Sequence, residues 1–160
     1  LGPLQSIVHR TAIWCYLFTS DPEWTVATSS EALREIRETS PQLDRELNVH
    51  QLRSWILSVQ SSLRKWSKRS PQQNPKNTAP QSADFLIKPI GLDLAPWWKF
   101  QSRMRPELSE ALIFCQIHKL PEEQIAQALL ISKGSLRLRR AQALIRLGEI
   151  IQQHRTGRNL

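Results

Sequence analysis

The sequence predicts an all-α protein of two small helical domains joined by a Pro/Gln-rich linker. Three observations carry that expectation. Apolar residues recur at helical spacing along most of the chain, and no stretch alternates as a half-buried strand does. Gly is scarce, at 5 of 160 residues, whereas a barrel or sandwich needs many Gly-containing turns. Residues 70–82 (SPQQNPKNTAPQS) hold three prolines, five Gln/Asn and no large apolar side chain. Such a stretch buries too little surface to offset the entropy of ordering it. The break sets residues 4–69 apart from 93–160, with 70–92 as the linker.

The elements follow in order. Ser6 to Thr19 reads as a helix apolar on most sides, through Ile7, Val8, Ile13, Trp14, Leu17 and Phe18, and so as a buried one. Asp21-Pro22-Glu23 starts the next, with Asp as N-cap and Pro at the first helical position, running to about Glu38. Ser40-Pro41 starts another, short one. From Val49 to Trp66, Leu52, Trp55, Ile56, Val59, Leu63 and Trp66 fall on one helical face, with Arg53, Gln60, Arg64 and Lys68 on the other. Pro96-Trp97-Trp98 begins a helix to about Met104, and Pro106 opens one through His118. Pro121-Glu122-Glu123 is a further start, with acids at the positive end of the helix dipole. Ser132 caps a last helix from Lys133 to about Gln153.

Composition excludes several classes. No apolar run approaches the ~18 residues of a membrane span, so no membrane partner is expected. Two cysteines exclude a disulfide scaffold, and Cys15 and Cys115, in apolar helical contexts, read as small packing residues. His9, His50, His118 and His154 are scattered, with no metal-pair spacing and no Gly-rich phosphate loop anywhere. The expectation is a protein without catalytic site, metal or cofactor. Gly2-Pro3 reads as a protease scar, so residues 1–3 stay outside the argument. No basic flank precedes the first apolar stretch as a signal peptide requires, and the expected compartment is the cytoplasm.

Charge points to a partner. The chain carries 22 Lys+Arg against 14 Asp+Glu, a net charge of +8. Between Leu47 and Ala83 there is no acid but six basic residues, and between Gln124 and Gly148 no acid but five. Two one-sign stretches suit two surfaces for a polyanion, nucleic acid above all; the alternative is a solvated basic face. Residues 122–136 have helix-turn-helix form. Ala126 is small where the second helix crosses, and Ile125, Leu129, Ile131 and Leu136 fill the wedge. The second helix then offers Lys133, Ser135 and Arg137 to a major groove. A plain helical hairpin is the competing interpretation.

Glu107 to Leu147, with its Ile125-Ala126, Leu129-x-Ile131-Ser132, Gly134-Ser135-Leu136, Arg139, Ala143 and Leu147, resembles region 4 of bacterial sigma factors. Asp21 to Ile36 resembles the family's region 2.2 helix, and Arg53 to Arg69, with Trp55-Ile56 and a basic tail, its regions 2.3 and 2.4. Two helical domains on a Pro-rich linker are the layout of the short extracytoplasmic-function group. The resemblance implies a transcription regulator binding promoter DNA and RNA polymerase core. Region 4 would read the upstream element through Lys133, Ser135, Arg137 and Arg139; Arg140 joins them as a candidate phosphate contact by its place in the basic stretch, not by the resemblance. Arg64, Lys65, Lys68 and Arg69 would meet phosphates of the downstream element. Trp55 stands at the family's Trp position; for Trp55 and Trp66, core packing is favoured over base stacking. The chain departs from the family at four places. Thr25-Val26-Ala27 replace acids that grip the polymerase clamp, and Ser62 and Trp66 replace the Asn and Asp of the promoter-melting helix. Leu130 replaces the turn glycine, and Arg140 replaces an inner-face Leu while Leu138 sits outside. These replacements support the alternative, a degenerate sigma-like module that binds polymerase, an anti-sigma protein or another regulator without opening promoters.

Overall fold

The computed structural model describes residues 3–41, 47–69 and 93–157. All regular structure among them is helical: α1 (Pro3–Thr19), α2 (Pro22–Thr39), α3 (Val49–Arg69), α4 (Ala95–Arg103), α5 (Pro106–Leu112), α6 (Glu122–Leu129) and α7 (Lys133–Arg155). The chain divides into two compact units, Leu1–Leu86 and Ile87–Leu160. The expected linker, 70–92, and most of the short helix expected from Ser40-Pro41 lie outside the described residues.

In the first unit α1, α2 and α3 pack on one another. Asp21 caps α2 as its sequence dictates, Oδ1 accepting from the Trp24 N–H at 3.0 Å. The core is Ile7, Trp14, Leu17, Ala32, Ile36, Leu52, Trp55, Ile56 and Val59. Trp14 and Trp55 meet edge to face, centroids 5.3 Å apart. The Trp55 Nε1–H donates to Thr11 Oγ1 at 2.8 Å, and Thr11 donates to the Ile7 carbonyl. The helices meet through small hydroxyl-bearing residues: Thr25, Thr28 and Ser29 on α2, Ser58 and Ser62 on α3, all buried. Such residues let backbones approach closely. The expected burial on most sides of α1 holds over the four successive buried residues Trp14, Cys15, Tyr16 and Leu17, and fails only near the start, where Val8 is 43% exposed and His9 is exposed.

The second unit is built on α7, against which α4, α5 and α6 pack. Leu136, Ala143 and Ile150, seven residues apart, form the buried seam of α7. The facing core is Trp97, Phe100, Leu108, Leu112, Ile113, Phe114 and Ile125. The helix expected from Pro106 through His118 is not α-helical throughout. It widens to a π-turn over Ile113–Ile117, where the His118 N–H reaches back five residues to the Ile113 carbonyl at 2.8 Å. Within this turn Cys115 is half-buried, whereas Cys15 is fully buried with a thiol pKa raised by desolvation. The start of α4 is tied to the end of α7 by Asp93 Oδ2 and His154 Nε2, 2.8 Å apart.

Candidate nucleic-acid interface

Helix α6, the turn Leu130-Ile131-Ser132 and helix α7 form the helix-turn-helix. Leu130 ends α6 in the left-handed region, φ 56° and ψ 41°, and is 73% exposed. The Leu130 N–H donates to the Gln127 carbonyl at 3.2 Å and the Ile131 N–H to the Ala126 carbonyl at 3.0 Å, closing the helix as a glycine usually does. Ser132 caps α7, its Oγ accepting from the Ser135 N–H at 3.0 Å. Ile125, Ala126 and Leu136 are buried in the wedge. Leu129 and Ile131 are only half-buried, and Ala128 takes the inner place expected of Leu129. The early left-handed turn leaves the last residue of a two-turn helix beside solvent.

The five candidates on this element all reach the surface, with different freedom. Lys133 and Ser135 are exposed on the first turn of α7. The Ser135 hydroxyl accepts from Ser132 at 2.9 Å. Arg137 donates through Nε to Glu122 Oε2 at 2.8 Å, and Arg140 through Nη1 to Glu122 Oε1, also at 2.8 Å. The hydrogen bond from Arg137, with the charges of both guanidiniums, holds the Glu122 carboxyl below the usual glutamate range. Arg139 is half-buried and makes no ion pair among the described residues. Further along, Arg146 pairs with Glu149 at 3.2 Å. Burial pushes the Cys115 thiol up, although the Arg140 guanidinium beside it pulls the other way.

The other four candidates lie at the end of α3, all exposed. Lys65 Nζ meets Glu31 Oε1 at 2.7 Å, and the Arg64 Nε–H turns back to the Gln60 carbonyl at 3.3 Å. Lys65 first, then the charges of Arg69 and Arg34, hold the Glu31 carboxyl below its usual value. Lys68 and Arg69 extend beyond these pairs at the C-terminal turn. Trp55 is 1% exposed and belongs to the core. Trp66 is half-buried with its ring edge-on to Trp24, centroids 6.4 Å apart.

Two features escaped the sequence reading, and a third was read only in part. Glu122 read only as a helix starter, because nothing linear shows that two arginines from another helix converge on it. Ser62, taken as a position facing a base, is 1% exposed and its Oγ has no hydrogen-bond partner among the described residues. Last, the outer side of α7 carries Leu138, as expected, at 59% exposure, and also Ile145 at 62%, with Ala141 and Leu144 between them. The seven-residue spacing of Leu136, Ala143 and Ile150 was a usable sign of which side faces out.

Among the described residues no cluster of three His, Cys, Asp or Glu could hold a metal ion, and no helix is long and apolar enough to cross a membrane. Set against known proteins, the chain matches no family model, no curated protein and no solved structure.

Proposed function

We propose that this chain is a sigma-factor-like transcription regulator of the cytoplasm. In this reading its C-terminal helix-turn-helix binds promoter DNA, its N-terminal helices bind RNA polymerase core, and it has no catalytic site. The observation that supports it most is the capped turn of the second unit. Ser132 and the left-handed Leu130 set α7 so that Lys133, Arg137 and Arg139 stand on or near its first turns. The first turns of such a helix are the part that enters a major groove. Phosphate contacts make affinity fall with salt at a log-log slope of about −0.9 per contact, so Arg137→Ala should lower the slope by roughly one. Binding of duplex DNA indifferent to salt removes the DNA reading.

The exposed apolar side chains favour a second reading, a sigma-like module that binds polymerase, an anti-sigma protein or another regulator without opening promoters. Leu138, Leu144 and Ile145 on α7, and Val26 on α2 at 67% exposure, suit a protein partner better than phosphates. Comigration of the purified chain with core polymerase, followed by transcription from that complex, separates the two. Comigration without transcription favours the second.

A further inference from the structure

The carboxylate of Glu122 sits between two guanidiniums three residues apart on α7, one oxygen at 2.8 Å from Arg137 Nε and the other at 2.8 Å from Arg140 Nη1. Two guanidinium donors converging on two oxygens of one anion is also how arginines hold a phosphate. No other acid lies between Gln124 and Gly148, and Glu149 is engaged with Arg146. Among the described residues Glu122 is therefore the carboxylate bound to this basic surface at the turn. We propose that Arg137 and Arg140 form a two-arginine site for a backbone phosphate of DNA, occupied in the free protein by Glu122, which leaves when DNA arrives. The proposal rests on the DNA-binding reading above.

The exchange is physically easy. A phosphodiester and a carboxylate each carry one negative charge, so the charge of the filled site does not change. The Arg137 side chain is 62% exposed, and pairs in such surroundings are screened and weak. Once released, Glu122 still lies in the first turn of α6, where the helix dipole favours a carboxylate. Glu122 thus sets affinity by competition while leaving the number of phosphate contacts unaltered.

The test is binding of a labelled random-sequence duplex to the full chain over a salt series, with Glu122→Gln beside the unaltered protein and thermal unfolding recorded for both. The variant should bind on the order of five- to tenfold more tightly with the same salt slope, because the slope counts phosphates and not the displaced carboxylate. Weaker or unchanged binding makes Glu122 a residue that merely positions the arginines, and overturns the proposal. A slope steeper by about two units also overturns it, since the arginines would then never leave Glu122 in the native protein. If the variant misfolds, the Arg137 Nε–H resonance of the unaltered protein decides. It should move as duplex is added, and a resonance that stays fixed while DNA binds refutes the exchange. Should the unaltered protein bind no duplex, the DNA reading fails and the proposal falls with it; binding without the Glu122 effect removes the proposal alone.

Discussion

Ser62 shows how one side chain decides what a helix can do. It is buried on α3, and its hydroxyl has lost water without gaining a partner among the described residues. Replacing an unsatisfied buried hydroxyl by a methyl group removes that penalty. Ser62→Ala should therefore be neutral or stabilising, by up to about 1 kcal/mol. Ser62→Asn adds volume and a second polar group to a packed interface and should cost about 1–3 kcal/mol. Urea denaturation of the two variants checks both, and an Asn variant as stable as the parent would place residue 62 at the surface. Three acids make a further residue-level expectation. Glu31, Asp93 and Glu122 all have carboxyl groups held below their ordinary values: Glu31 and Glu122 by basic partners, Asp93 first by the Ala95 N–H and then by His154. A depressed folded pKa contributes stability that is whole above the unfolded value and is lost as pH falls through the folded one. The melting temperature should thus decline below about pH 4.5, near the ordinary value of the two glutamates, with Asp93 adding to the loss at lower pH. Substituting Gln for Glu31 should flatten that decline, and an unchanged acid limb would show that the Lys65 pair adds nothing to stability.

At the scale of elements, the turn between α6 and α7 is a point of strain, Leu130 holding a positive φ as Ser20 and Lys119 also do among the described residues. Leu130 holds φ 56° with its side chain largely in solvent, and no packing return is evident for a left-handed Leu. The left-handed form costs a residue with Cβ about 1–2 kcal/mol, and glycine gives back part of that gain as unfolded-state entropy. Leu130→Gly should stabilise the chain by about 0.5–1 kcal/mol net. Calorimetry on the variant tests this; a loss of stability would mean that Leu130 packs in solution.

At the scale of the molecule, the two leading readings part over promoter opening. Capturing unstacked bases costs a few kcal/mol, and a melting helix meets that cost with polar groups aimed outward. Here Ser62 points into the core and Trp66 lies edge-on to Trp24. The chain with core polymerase should accordingly give weak permanganate reactivity of thymines near the start site on linear duplex, and better use of a template carrying an unpaired bubble. Strong reactivity on linear duplex would restore the reading as a full promoter-opening factor.

Much of the architecture was written locally. The Asp21-Pro22 start, the Ser132 cap, the helical face from Leu52 to Leu63 and the all-α class depend on interactions within a few residues, which a linear reading reaches. The positive φ at residue 130 was implied by the resemblance, in which Leu130 stands in place of the turn glycine. Tertiary structure decided what depends on the angle at which one helix meets another. The π-turn at 113–117, the burial of Ser62, the exposed start of α1 and the burial of Ala128 beside a half-buried Leu129 are of that kind. So is the convergence of Arg137 and Arg140 on Glu122, separated from it by fifteen and eighteen residues. Charge along a chain shows that a basic surface exists; which of its cations already hold a carboxylate is fixed only when α6 and α7 pack, because the pairing needs guanidinium and carboxylate within about 3 Å across two helices.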